Sequence, residues 1–386
     1  MNKFDFYNPT HIVFGKDRLN ELDKLVPKDA RVLVLYGGGS AKSTGTLQKA
    51  LNGLGERTVF EFGGIEPNPQ FNTLMKAVEV VRQDNIDFLI AVGGGSVMDS
   101  AKFIALAAPW DQGKEEDLLF FGHRPIQARK AIRLGTVVTL PASGSEMNFS
   151  GVITHNQGKF VFSCMAVFPE FSFLDPTLTY SLPAHQIANG IVDTFVHTTE
   201  QYLTYPVNAG FQDRTAEGIL QTLIEIGRKT IDEPEDYDAR ANLVWCATMA
   251  LNGLIGAGVP QDWTSHMIGH EVTALFHIDH GRTLAVLLPS VLMVLKEQKR
   301  AKLLQYAERV WKISEGSEDL RIEEAITKTR KFFESLGVKT HLADYDISDT
   351  DIAGVVLALE KHGQTTLSEK RTVTLDISRQ ILLAAM

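Results

Sequence analysis

The chain has very little cysteine: Cys164 and Cys246 are the only two in 386 residues. With no C-x-x-C spacing, they exclude a disulfide framework and suit small buried side chains in a reducing compartment. No apolar run reaches the roughly 18 residues of a membrane helix. Leu284–Leu295 comes nearest, and Pro289 interrupts it. The opening M-N-K-F-D-F-Y-N-P-T lacks the apolar core of a secretory leader, so a cytoplasmic location is expected. There is no basic run either. The net charge of −9 is spread along the chain, which argues against nucleic acid or an anionic membrane as partner.

What is present divides the chain in two. The first part alternates strand and helix signals. Arg31–Tyr36, Phe88–Val92 and Val137–Leu140 are apolar runs without polar alternation, as in strands covered on both faces of a parallel sheet. Asn72–Gln83 between the first two carries apolar residues at helical spacing. Strand, helix, strand predicts βαβ units in an α/β nucleotide-binding domain with a Rossmann-like, mostly parallel sheet over residues 1–183. From Pro183 onward the pattern turns helical, as in Arg214–Ile226, Lys302–Ile313 and Ile322–Leu336. Breaks are expected at Pro206, Pro234, Pro260 and Pro289. An all-α domain is expected over residues 184–386.

The first two runs each end in G-G-G-S, at Gly37–Ser40 and Gly93–Ser96. Glycines let a backbone approach an anion closely, and amides at a helix start point toward it. Neither loop follows G-x-G-x-x-G or the P-loop pattern, so a tight turn without ligand competes with phosphate binding. A third polar turn, Pro141–Glu146, follows Val137–Leu140. Three such turns at strand carboxyl ends converge on one crevice, which favours a nucleotide. Gly37–Ser40 lacks the acidic residue that holds the ribose hydroxyl of NAD, and Lys42 follows it. That combination favours NADP.

The richest chemistry lies further on. Thr264–Gly281 packs four of the eleven histidines into eighteen residues, and Asn189–Tyr202 forms a second polar patch. Asp193 and His197 stand one helical turn apart, as do His266 and His270. His280 precedes Gly281, where the chain can turn back, and His277 is a spare. A single histidine or aspartate here is ordinarily a hydrogen-bonded core or surface residue. Paired inside apolar helices, Asp193, His197, His266 and His280 read as ligands of one divalent ion. Glu200, Gln201 and Glu271 either face solvent or brace a ligand. Trp245 and Trp263 read as packing, although Phe149, Trp263 and Phe276 also hint at an apolar pocket.

These motifs resemble the iron-containing (group III) alcohol dehydrogenases, most closely their NADPH-dependent aldehyde reductase and butanol dehydrogenase branch. The resemblance runs through F-x-x-P-T-x-I-x-F-G from Phe6, G-G-G-S-V-M-D-S-A-K at Gly93–Lys102, L-P-A-S-G-S-E at Leu140–Glu146 and L-D-P at Leu174–Pro176. It ends with D-x-x-x-H and the spaced histidines closing on H-G. It implies a dehydroquinate synthase-like two-domain fold with the metal in the cleft between domains, and often a homodimer. It makes Asp193, His197, His266 and His280 ligands of Fe2+ or Zn2+, and puts His270 beside nicotinamide and substrate. Gly94, Gly95, Ser96 and Asp99 would hold the pyrophosphate and ribose, with Gly37, Gly38 and Ser40 on the neighbouring loop. Thr139, Leu140, Ser143 and Ser145 would line the cofactor cleft, near Asn148 and Lys159. The reaction implied is reversible hydride transfer between NADP(H) and short- to medium-chain aldehydes or primary alcohols, with His270 relaying a proton or merely bonding a ligand or ribose. Two other classes stay open at this point: a synthase or lyase that uses NAD transiently, and a metal-dependent phosphohydrolase.

Overall fold

The computed structural model describes residues 1–120, 125–156 and 158–386. The chain forms two compact units, Tyr7–Leu182 and Met1–Phe6 with Pro183–Met386. The first six residues thus belong with the helical unit, whereas the sequence pattern assigned them to the α/β one. The Asn2 amide donates to Gly258 O at 2.9 Å, and Gln212 Nε2 donates to Met1 Sδ at 3.3 Å.

In the α/β unit the order is β1 (His11–Phe14), α1 (Leu22–Leu25), β2 (Arg31–Tyr36), α2 (Ser40–Ser43), α3 (Thr46–Leu54), β3 (Thr58–Phe62), α4 (Phe71–Gln83), β4 (Phe88–Gly93) and α5 (Gly95–Ala107). Then follow β5 (Arg133–Val138), β6 (Ser150–His155), β7 (Gly158–Ser163) and β8 (Phe171–Leu174). Six strands form one parallel sheet in the order β1-β8-β5-β4-β2-β3. Val32, Leu33, Val34 and Leu35 are all fully buried, which is why β2 shows no apolar–polar alternation. Val32, Val34, Phe88, Ile90, Val92, Val137 and Phe173 pack with Leu47, Ala50 and Leu54 of α3. β6 and β7 pair as a separate antiparallel ribbon.

The sequence runs from β2 outward to β3, then returns to place β4 on the other side of β2, so the winding direction reverses between β2 and β4. Open α/β sheets leave a crevice at the carboxyl ends of such a pair. Both G-G-G-S loops leave from those two ends, and the turn after β5 leaves from the next strand in the row.

The second unit contains α6 (Ala184–Tyr202), α7 (Gly210–Asp232), α8 (Tyr237–Ala250), α9 (Thr264–Phe276), α10 (His280–Val294), α11 (Lys296–Arg309), α12 (Glu318–Ser335), α13 (Asp349–Lys361) and α14 (Leu375–Ala384). It is not purely helical, because β9 (Thr366–Leu367) and β10 (Val373–Thr374) make a two-residue antiparallel pair. Its core joins Ile268 and Val272 of α9, Val286, Leu287 and Val291 of α10, Val355 and Leu359 of α13, and Ile381 and Leu382 of α14. Pro206, Pro234 and Pro260 fall between helices, but Pro289 lies inside α10. A mid-helix proline removes one backbone hydrogen bond; here Thr283–Leu292 is buried throughout, and tertiary packing retains the helix. No helix among the described residues is long and apolar enough to cross a membrane.

Candidate functional site

The polar centre of the helical unit is built on α6, α9 and α10. α6 is buried nearly all round from Ile187 to Tyr202. Asp193 and His197 therefore sit in its interior, 6% exposed each. Asp193 Oδ1 lies 3.5 Å from His197 Nδ1, 3.6 Å from His266 Nε2 and 4.0 Å from His280 Nε2. Asp193, His266 and His280 each offer a donor atom, and these atoms all lie within 4.8 Å of one another. His197 falls outside that set but stacks on His266, with ring centroids 4.5 Å apart. His270 is buried one turn after His266, its ring centroid 5.1 Å from that of His280. His277 stands apart: exposed and left-handed, it ends α9.

His280 is the first residue of α10 rather than part of a loop. Gly281 serves there by closeness, not by turning: a Cβ would lie 2.5 Å from Asn189 O and 2.9 Å from Asn189 Cα, both backbone atoms of α6. The missing side chain lets α10 touch α6, which brings His280 to Asp193.

Of the alternatives open for Glu200, the structure shows bracing. Its carboxylate is buried, accepts from the Ser265 amide at 2.6 Å, and accepts from His266 Nδ1. That bond fixes the ring and turns Nε2 toward Asp193. Gln201 is also buried, donating to His197 O and Ala250 O at 2.8 Å. Glu271 pairs with His362 Nδ1 at 2.9 Å.

Burial alone would push His266 down, but Glu200 and Asp193 together outweigh it and raise its pKa to about 9. Burial lowers His197 to about 4, aided by His266 and opposed by Asp193. Two carboxylates facing one buried imidazole thus favour positive charge at this place. His197 Nδ1 and His266 Nε2 are buried and make no hydrogen bond among the described residues. Buried polar atoms of this kind are rare unless something fills their valence. One carboxylate and three imidazoles are suitable donors for a divalent transition metal. The residues fit such an ion.

The glycine loops belong to the α/β unit. Gly94 precedes α5, and Gly95 and Ser96 are its first two residues. A Cβ on Gly95 would stand 2.5 Å from Ser143 Oγ and 3.0 Å from Ser143 Cβ; one on Gly94 would meet Leu140 Cβ at 3.1 Å. The turn after β5 is thus pressed onto the helix start, and the Thr139 amide donates to Gly93 O at 3.0 Å. Gly37 and Gly38 follow β2 and Ser40 opens α2, with Gly38 and Ser40 exposed. Lys42 stands over the Tyr36 ring at 4.9 Å and 4.0 Å from Glu61.

Beneath these loops runs a network that sequence reasoning missed. Lys102, fully buried on α5, donates to Ser145 Oγ at 2.9 Å, Asn148 Oδ1 at 2.7 Å and Ser150 O at 2.8 Å. Ser145 Oγ donates to Asp99 Oδ1 at 2.6 Å, and Asp99 Oδ2 accepts from the Val152 amide at 3.0 Å. Asn148 Nδ2 donates to Gly144 O at 2.9 Å. Asp99, Ser145 and Asn148 are therefore engaged within the protein. Burial raises the Asp99 carboxyl, with Lys102 opposing. Lys159 donates to Asn68 Oδ1 at 2.9 Å. The lysine inside the apolar run S-A-K-F-I-A-L-A was the available signal.

Two family models cover nearly all of this: iron-containing alcohol dehydrogenase over residues 9–176, and the C-terminal model of that family over 187–386. The chain belongs to the iron-containing alcohol dehydrogenase family. Within this family it is 54% identical to the NADPH-dependent aldehyde reductase YqhD of Escherichia coli K12, over the whole of both chains. The crystal structure of E. coli YqhD superposes with a TM-score of 0.98 at 53% identity, covering 100% of this chain and 99% of that one. An NADH-dependent butanol dehydrogenase A from Thermotoga maritima matches with a TM-score of 0.92 at 32% identity, covering 100% and 99%. Alcohol oxidation and aldehyde reduction are the activity of this iron-containing alcohol dehydrogenase family member.

Proposed function

We propose a metal-dependent aldehyde reductase and alcohol dehydrogenase that prefers NADP(H) and acts on short- to medium-chain aldehydes and primary alcohols. The convergence of Asp193, His266 and His280 beside His197 carries the reading. These four would hold Fe2+ or Zn2+, and the ion would supply Lewis acidity toward the substrate oxygen. The chain's own residues do the rest. Glu200 holds His266 in its ligand orientation. His270, one turn along α9, delivers a proton to the product oxygen through water. Gly94, Gly95 and Ser96 present backbone to the pyrophosphate, and Gly37, Gly38 and Ser40 border the adenosine ribose. Thr139, Leu140 and Ser143 close the other side. Asp99, Ser145, Asn148 and Lys102 act as the frame beneath, with Lys159 on the neighbouring ribbon.

NADP preference rests on the loop Gly37–Ser40, which has no carboxylate, and on Lys42 after it. Glu61 is close to Lys42, but both are exposed, and such pairs are weak enough to yield to a phosphate. YqhD is named NADPH-dependent and the Thermotoga relative NADH-dependent, so family membership leaves this preference to the loop. We extend the proposal to a homodimer, checked by sedimentation.

The test is elemental analysis of purified protein beside kinetics on aldehydes from propanal to octanal with NADPH and NADH. Stoichiometric iron or zinc and a lower KM for NADPH are expected. His266→Ala and His280→Ala should abolish turnover and leave NADPH binding intact. Full activity after chelation would remove the metal from the proposal, and equal KM values would remove the loop argument.

A further inference from the structure

We infer that Trp263 sets the substrate range of this enzyme: its indole is an apolar wall beside the ligand imidazoles that admits short, unbranched aldehydes and turns away ring-bearing ones. The inference rests on the aldehyde reductase reading and sharpens its substrate class.

Trp263 has φ 65° and ψ 11°, in the left-handed region. A bulky residue there is an outlier, and such conformations persist only where the surroundings impose them. Here both flanks are clamped. Before it, Asp262 pairs with Lys299 Nζ at 2.8 Å, both side chains nearly fully buried, and its amide donates to Glu200 O at 2.9 Å. Lys299 also reaches Glu369 at 3.2 Å and Leu203 O at 2.7 Å. After it, the Ser265 amide and His266 Nδ1 donate to the Glu200 carboxylate. Glu200 thus holds the chain on both sides of Trp263, and the residue between must bend.

The bend aims the ring. The indole stands edge-on to His266, centroids 5.4 Å apart at 79°, and edge-on to His197, 6.1 Å apart at 66°. Its Nε1 donates to exposed Gln261 Oε1 at 3.0 Å. Phe195 on α6 is fully buried in the core, whereas Trp263 is only half-buried. Phe276, the other aromatic of this segment that hinted at a pocket, packs instead against the α9–α10–α13–α14 core. A rigid, half-buried apolar face against two ligand rings limits the width of what can approach them.

The test uses metal-loaded protein carrying Trp263→Gly, which permits the left-handed backbone and removes the ring, and Trp263→Phe, which keeps a narrower wall. Both are assayed with NADPH on butanal and cyclohexanecarbaldehyde, with metal content measured in parallel. The kcat/KM ratio of the ring-bearing aldehyde over butanal should rise at least about tenfold in Trp263→Gly, mainly through KM. Trp263→Phe should fall between, and metal content should match wild type. An unchanged ratio with metal retained overturns the inference; so does metal loss in both variants, which would make the indole a mere prop for the ligands. If the glycine variant fails to fold, the phenylalanine variant decides alone. A metal-replete wild type that reduces no aldehyde sinks the underlying activity instead, a result separable from the variants' behaviour.

Discussion

Glu200 offers the most informative perturbation. Its carboxylate accepts from two donors, the Ser265 amide and His266 Nδ1, in a site where its side chain is 2% exposed. Glu200→Ala strands both donors away from water. At about 1–3 kcal/mol for each unsatisfied buried group, the loss is about 2–6 kcal/mol of stability. Glu200→Gln keeps the shape and presents one oxygen and one NH2, so it serves one donor and opposes the other. That variant should fold and isolate the effect on His266. Loss of a carboxylate behind a ligand imidazole ordinarily weakens metal binding by about 10–100-fold, or about 1.4–2.7 kcal/mol. The assay is competition between Glu200→Gln and a chromogenic chelator, read as released metal, beside thermal unfolding of the metal-free protein. Wild-type metal retention and turnover in Glu200→Gln would refute the view that this carboxylate orients His266.

Gly281→Ala should lower stability by about 1–3 kcal/mol, because its Cβ meets Asn189 backbone that cannot step aside; an unchanged Tm and metal content would contradict this. Gly95→Ala should weaken NADPH binding at least about tenfold, a loss of about 1.4 kcal/mol, and Ser143→Gly in the same chain should restore part of it, since the clash is with the Ser143 side chain; fluorescence titration of bound NADPH reads both. Lys102 is lowered by burial to about 8 from the ordinary 10.5, with Asp99 and Glu146 opposing. Below pH 8 folded and unfolded forms both hold the proton; between 8 and 10.5 only the unfolded form does, so stability should rise with pH there, by up to ~3 kcal/mol. Urea midpoints at pH 8 and 10 should show this rise in wild type and not in Lys102→Met; parallel curves would dismiss the shifted lysine.

Much of the fold was legible because buried parallel strands leave unbroken apolar runs. Arg31–Tyr36 matches β2 fully, and Phe88–Val92 misses β4 by one residue. β5 was read at Val137–Leu140 but spans Arg133–Val138: Arg133, Gly135 and Thr136 interrupt the apolar run, although their backbones pair in full. β1 and β8 have four residues each, too short for a periodic signal. In the candidate site, i,i+4 spacing revealed Asp193 with His197 and His266 with His270, since one helix turn is local information. Glu200 stayed ambiguous because its partners, Ser265 and His266, reach it only through tertiary packing of α6 on α9. The Lys299–Asp262–Glu369 bridge left no trace for the same reason: its members come from three separate segments.

Strand β1 has its partner, β8, at the far end of the α/β unit, His11 beside Phe171, and Asn2 bonds Gly258 beyond it. During synthesis β1 emerges well before β8 and must therefore wait for its partner. That edge of the sheet cannot close before β8 is made, and until β1 docks, β8 has an unfilled hydrogen-bonding rim. Slow translation, or crowding by other nascent chains, would leave that rim as the place where misassembly begins.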